Sequence, residues 1–510
     1  MARIITQEQT NDLDQAQTLW AYNALDCVKT SEVFQATHPQ LDSWTGHIYQ
    51  FELSSLAPAL ELCLRGIKVD LARREQLLQR LSAEQKTLLG ILKLYGEALI
   101  GEAIKANSPK QLQKVLYNVL NLPIQHKYDR QAKENKISTD RTALEKLRDH
   151  SLSANALVSC ILALRDNAKT VSVLQSGVDP DGRMRFSFNV GGTESGRWSS
   201  SKSAFGGGMN AQNVTEDLRE IFIADKGYKL AYIDLEQAES RAVATLSRDD
   251  AYHRACNSGD LHTAVSRLIW PQKEWTGDLE IDRKVASQTF YRQFSYRDMA
   301  KRGGHASNYL GTPRTIGTAL KLEQRVIEGF QLAYFKAFPG IRRWHQEVAR
   351  KLQTEKKLTT PFGRRRQFLG RAWDDSTLRE AIAYVPQSLI ADYLNTGLLR
   401  LWSWGKVEIL AQVHDAVLLQ YPENQPELVV EAQRILSSTI RLTDNTTLAI
   451  PADVAIGWNW HKASEANPDG LQKVNPLHDP RKRQRDDSGS TAHPACFQPA
   501  TLDLLDQRLS

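Results

Sequence analysis

Two apolar runs that each carry an aspartate constrain this chain most. Tyr228-Lys-Leu-Ala-Tyr-Ile-Asp234 reads as a buried strand. Residues 407–421 read as two short strands joined by a turn around His414-Asp415. Each carboxylate therefore falls in an apolar setting, where an unpaired charge is costly. Spacing alone leaves two readings open. Asp is a favoured turn and cap residue. Alternatively, carboxylates on adjacent strands hold two divalent ions about 4 Å apart, one activating an attacking oxygen and the other stabilising a leaving one.

The segments around these strands set the fold class. Residues 51–180 are helical in pattern, with Leu77, Leu78, Leu81, Leu88, Leu89, Ile91 and Leu92 at helical spacing. Ser108-Pro109 places a cap before a proline at the first helical position, and Ser138 similarly opens the segment with Leu144 and Leu147. Met184, Phe186, Phe188 and Val190 alternate with polar residues as a strand does. Residues 244–400 return to helix with a basic surface, and residues 450–460 add a short strand. The expectation is an α+β protein, about three or four folding units for 510 residues.

Composition excludes several classes. A 41% hydrophobic fraction is too high for global disorder, and no run of 18 apolar residues is present to span a membrane. Five scattered cysteines lack zinc spacing and, being odd in number, do not suggest a disulfide framework. The N-terminus lacks an apolar signal core, so a cytoplasmic, reducing location is expected. The net charge is +6, which alone says little about nucleic acid.

Three ordered motifs carry a resemblance. Asp-Leu-Glu-Gln-Ala-Glu-Ser-Arg at 234–241, Arg-Asp-Met-Ala-Lys-Arg-Gly-Gly-His-Ala-Ser-Asn-Tyr at 297–309 and Gln-Val-His-Asp at 412–415 resemble motifs A, B and C of the family A DNA polymerases. Thr-Glu-Ser-Gly-Arg-Trp-Ser-Ser-Ser at 193–201, Phe-Gly-Arg-Arg-Arg at 362–366 and Pro-Gln-Ser-Leu-Ile-Ala-Asp at 386–392 resemble further family segments. The resemblance covers about residues 50–465. It implies a right-hand polymerase fold, with helical thumb and fingers around an antiparallel palm sheet. The implied divisions are thumb and connecting helices over 51–182, palm over 183–249, fingers and palm-associated helices over 250–404, and palm again over 405–465.

The resemblance also implies roles. Asp234 and Asp415, with the carbonyl of Leu235, would hold two magnesium ions, which need hard oxygen donors. Arg297, Lys301 and His305, each four residues apart, form one helix face that would grip a triphosphate. Lys301 joins the two aspartates in the catalytic set. Tyr309, Gln237 and Glu239 would also face the nucleotide, Glu239 excluding a 2′-hydroxyl. His305 departs from the family, which usually has Phe or Tyr there. Arg197, Asn210, Gln212, Asn213, Arg379, Gln387 and His414 would meet primer and template, and Arg364, Arg365 and Arg366 the phosphates. Gly303 and Gly304, each unfavourable in a helix by about 1 kcal/mol, suggest close approach of a ligand or another backbone. Ala416 stands where many relatives carry Glu, and no substitute is assigned.

The ends read differently. Tyr22-Asn-Ala-Leu-Asp26 resembles the last motif of the family's 3′–5′ exonuclease domain, so residues 1–50 are expected to be a remnant of it, without proofreading. The shortened N-terminus and motif wording suggest a phage-type replicase. Residues 466–510 are expected to form a mobile tail. Leu502, Leu504 and Leu505 loosely resemble a sliding-clamp-binding peptide. The expected partners are primer–template DNA, deoxynucleoside triphosphates, a separate exonuclease subunit and a sliding clamp. A catalytically inactive DNA-binding subunit and an RNA polymerase are the competing readings.

Overall fold

The computed structural model describes residues 14–474, apart from 130–133, 149 and 205. The runs that carry the two aspartates lie side by side in one antiparallel sheet. Its strands are β1 (Tyr228–Leu235), β2 (Glu408–Val413), β3 (Ala416–Pro422), β4 (Ala452–Gly457) and β5 (Gln472–Val474), in spatial order β2-β3-β1-β4-β5. The register opposes Asp234 to Ala416 on one side and to Asp453 on the other. Val413 pairs with Ala416, leaving His414 and Asp415 as a two-residue turn. β3 is buried along nearly all its length, as its unbroken apolar run requires.

Helices surround this sheet. They are α1 (Gln15–Thr37), α2 (Ser43–Arg65), α3 (Leu71–Ile100), α4 (Leu152–Leu174), α5 (Ala238–Ser247), α6 (Leu261–Ile269), α7 (Tyr296–Asn308), α8 (Gln324–Ala337), α9 (Pro339–Glu355) and α10 (Asp375–Trp404). Ile233, Val417 and Leu419 of the sheet share one core with Leu62 of α2 and Leu389, Tyr393 and Leu398 of α10. A second core joins α6 to α10 through Val265, Met299, Phe330, Trp344 and Ile382. A third joins α3 and α4 through Leu92, Leu157 and Ile161. At 1.5 Å per residue the 30-residue α3 is about 45 Å long, a helix as its leucine spacing predicts. No helix among the described residues is long and apolar enough to cross a membrane.

Three local expectations change. The helix Arg141–Arg148 is capped by Asp140, whose carboxylate accepts from Ala143 N at 2.9 Å, with Ser138 Oγ two residues back accepting from Asp140 N. Gly303 and Gly304 are approached by side chains: an added Cβ would lie 2.6 Å from the Phe330 ring and 3.2 Å from Tyr334. They let α7 sit close on α8, so their absent side chains serve helix packing. The last strand also lies beyond residue 465. Lys473 pairs with Ala455, so residues 472–474 close the sheet and any tail starts later. The basic run 481–485 and Leu502, Leu504 and Leu505 lie outside the described residues.

Candidate active site

The site is built where β1 meets the β2–β3 turn. The Leu235 N–H donates to the Asp415 carbonyl at 3.1 Å, tying the ends of the two aspartate segments together. Asp234 is exposed at the end of β1. Neighbouring protein atoms partly desolvate its charge, and Asp415 and Asp453 repel it, so its pKa is pushed up to about 6. Among the described residues, no three His, Cys, Asp or Glu side chains form a metal cage. The donors that fit a hard divalent ion are the two carboxylates and the Leu235 carbonyl. The remaining coordination positions suit water and substrate phosphate oxygens. The mutual repulsion at Asp234 is itself relieved by a cation, so these residues fit the ions that the resemblance implies.

Between strand and α5 the chain passes through Gln237, whose backbone is left-handed (φ 51°). Its Oε1 is buried without a hydrogen-bond partner. Two residues on, Glu239 sits in the first turn of α5. Arg197 Nη2 lies 3.7 Å from Glu239 Oε1 and 3.6 Å from Asp415 Oδ1. His305 Nδ1 lies 3.3 Å from Glu239 Oε2, and its ring centroid is 5.0 Å from that of Tyr309. The Tyr309 hydroxyl is buried without a well-aligned hydrogen bond, and burial, then neighbouring Glu239, raises its pKa.

The α7 face forms the facing wall. Arg297 is held by Asp260 through Nε at 3.1 Å and Nη2 at 3.2 Å. Asp260 also caps α6, accepting from Thr263 N at 3.2 Å. Lys301 is exposed one turn beyond Arg297. His262, on α6, completes this wall and was not singled out from the sequence. Burial, then Arg297, lowers its pKa to about 4, so it is neutral at pH 7 and can donate or accept one hydrogen bond per ring nitrogen. The local signal was Asp260-Leu-His-Thr263, a capping aspartate that aims the following turn.

Residues 75–462 match the profile of DNA polymerase family A. The chain belongs to this family. It is 28% identical over 461 residues to the thermostable DNA polymerase I of Thermus filiformis, covering 86% of this chain and 51% of that protein. It is 30% identical over 417 residues to DNA polymerase I of Helicobacter pylori strain J99, covering 78% and 42%. The chain thus spans about half the length of the curated relatives it matches. The POL domain of Pol1 from M. smegmatis, solved in complex with DNA primer–template and dNTP, matches with a TM-score of 0.65 at 25% identity, covering 80% of this chain and 69% of that one. The right-hand polymerase fold expected from the motifs is the fold observed.

Within this family A fold, several of the basic and amide side chains expected to meet DNA have partners inside the protein. Arg364 is turned inward. It is buried, with Nη2 at 2.7 Å from Asp392 Oδ1 and Nη1 at 2.6 Å from Glu52 Oε1. Gly196 makes room for it: a Cβ there would fall 2.5 Å from the guanidinium carbon, and its φ of +79° favours glycine. Arg365 is ion-paired with Asp42, and Arg366 with Glu194 and Glu380. Gln212 spends its amide hydrogens inside, on Trp198 O and Gln412 Oε1, each at 2.9 Å. Gln412 in turn donates to the His414 carbonyl, so Gln212 braces the turn that carries Asp415. Asn210 caps the turn Ala211–Asn213 through its side-chain oxygen. Asn213 and His414 are exposed, and Arg379 and Gln387 are half-buried on α10.

Proposed function

We propose that the chain is a template-directed DNA polymerase that extends a primer with deoxynucleoside triphosphates. One observation carries the reading: Arg197 lies 3.6 Å from Asp415 and 3.7 Å from Glu239, and Glu239 lies 3.3 Å from His305 of α7, so the carboxylates of the sheet and the basic helix face come together. In this reading Arg297, Lys301 and neutral His262 bind and orient the β- and γ-phosphates. The Glu239 side chain occupies the space a 2′-hydroxyl needs. Arg197, Asn213, Arg379, Gln387 and His414 line the path of primer and template. Two magnesium ions, when bound at Asp234, Asp415 and the Leu235 carbonyl, supply the charge neutralisation that eases primer hydroxyl ionisation and pyrophosphate departure. Before the ions arrive, Arg197 balances Asp415 and Glu239.

Primer extension with wild type and Asp234→Ala tests the reading. Loss of extension in the variant is the expected result, and equal activity in both refutes the site. We further propose a phage-type replicative role without proofreading in this chain. Tyr22 and Asp26 stand on α1, a helix that buries none of its side chains. Magnesium-dependent degradation of single-stranded DNA by the purified chain is the contrary result. An exonuclease subunit and a sliding clamp remain the proposed partners. Deletion of residues 491–510 tests the clamp by its effect on clamp-stimulated synthesis.

A further inference from the structure

Two arginines converge on Asp260, and they come from different helices. Arg297, on α7, donates through Nε to Oδ2 at 3.1 Å and through Nη2 to Oδ1 at 3.2 Å. Arg283, on the helix Leu279–Ala286, brings its Nε to 3.6 Å from Oδ2, a charge contact just beyond hydrogen-bond reach. Thr263 supplies the remaining contacts, its N–H to Oδ1 at 3.2 Å and its hydroxyl to Oδ2 at 3.1 Å. The Asp260 side chain is 8% exposed, that of Arg297 29% and that of Arg283 55%. We propose that Arg283 is a positioning residue: it keeps the charge of Asp260 balanced when Arg297 is shared with the phosphates of an incoming nucleoside triphosphate. The inference rests on the polymerase reading of the site.

The helix that carries Arg283 is held in place by the residue before it. Asp282 is buried and accepts from Thr276 N at 2.8 Å, Thr276 Oγ1 at 3.1 Å and Gly277 N at 3.2 Å. Arg267 of α6 lies 3.3 Å from its Oδ2. Arg283 is thus carried by a helix tied to α6, the same helix that Asp260 caps. The need for a second arginine follows from the donors of the first. Two of the N–H groups of Arg297 are spent on Asp260, and three remain for a ligand. A phosphate that takes them brings a negative charge to the same guanidinium, so Asp260 and the phosphate then share one counter-charge. Asp260 is covered and cannot turn to water instead, and a buried carboxylate short of counter-charge is costly. Arg283, more than half in solvent, is free to close the short gap to Oδ2 and restore the balance.

Single-nucleotide primer extension, with KM for the deoxynucleoside triphosphate and kcat read separately, tests the proposal. Arg283→Gln removes the charge from an exposed side chain and opens no core cavity. It should raise KM about fivefold and change kcat by less than about twofold, the size expected of a partly exposed ion pair. Arg283→Lys keeps the charge and should stay within about twofold of wild type. In the Asp260→Asn background, Arg283→Gln should change KM by less than about twofold, because the charge it balances is gone. Unchanged KM in Arg283→Gln overturns the proposal, as does failure of lysine to restore it. A full effect in the Asp260→Asn background also overturns it, and means that Arg283 acts on the phosphates directly. Absence of any extension by wild type refutes the polymerase reading instead, so the two failures are distinguishable.

Discussion

His414 holds a backbone conformation that its side chain disfavours. It is the first residue of the two-residue turn between β2 and β3, with φ 55°. A left-handed conformation costs a non-glycine residue about 1–2 kcal/mol. In the proposed reading this exposed histidine, next to Asp415, meets the primer terminus. His414→Gly should raise Tm by about 1–2 °C and lower the primer-extension rate; thermal scans and single-turnover extension on the same preparation check both. Asp234 carries a different tension. Its carboxyl pKa of about 6 exceeds the value near 3.8 it has when unfolded. The folded chain therefore binds a proton that the unfolded chain releases between about pH 4 and 6. The corresponding stability is full below about pH 4 and is lost as pH rises through 6. Asp234→Asn mimics the protonated group. In metal-free buffer it should melt above wild type at pH 8 by the equivalent of at most about 1 kcal/mol, allowing for solvent screening, and match it at pH 3.5. Equal melting at pH 8 would show that the repulsion is already dissipated by solvent.

At the scale of elements, what the sequence made legible followed from local pattern. The strand–turn–strand around Asp415 could be read because apolar runs bound a two-residue turn. The α7 face could be read because Arg297, Lys301 and His305 recur every four residues. What stayed hidden depends on partners distant in sequence. Arg364, Arg365 and Arg366 look alike as a run, yet Arg364 is drawn inward by Asp392 of α10 and by Glu52 of α2. Nothing near Gln212 announces Gln412, and Gly303 gives no hint that Phe330 fills its missing side chain. The Arg364 cluster clamps α2 to α10. Replacing the guanidinium leaves the buried Asp392 carboxylate without its partner beside half-buried Glu52, so Arg364→Ala should destabilise by about 3–5 kcal/mol, measured by denaturant unfolding of the transition that includes the sheet. The loop that caps α6 has a comparable reach over function. Asp260 orients Arg297 directly and His262 through the helix start. Asp260→Asn keeps the cap but weakens the charge on Arg297. It should raise KM for the nucleotide by about tenfold, more than it lowers kcat, in steady-state extension.

For the whole molecule, the distribution of charge matters more than its total. Residues 1–50 carry −4 and residues 466–510 carry zero, so the net +6 leaves +10 on residues 51–465. The structure then divides that excess. Arg364, Arg365 and Arg366 are already matched by Glu52, Asp392, Asp42, Glu194 and Glu380, so they add little to the outer field. Arg379 is different: Asp375 lies 3.9 Å from it, the Arg379 side chain is about half in solvent and that of Asp375 is mostly so. A phosphate can displace such a contact easily. Binding of primer–template should therefore weaken linearly in log Kd against log salt, through counterion release. Arg379→Ala should lower the magnitude of that slope by about 1 and weaken binding uniformly across sequences. Arg365→Ala, which removes a charge already paired with Asp42, should leave the slope near the wild-type value. Fluorescence anisotropy with one primer–template across a salt series measures both variants. A slope change for Arg365→Ala equal to that for Arg379→Ala would mean that DNA opens the Asp42 pair, and that charges matched in the free protein are released when the duplex binds.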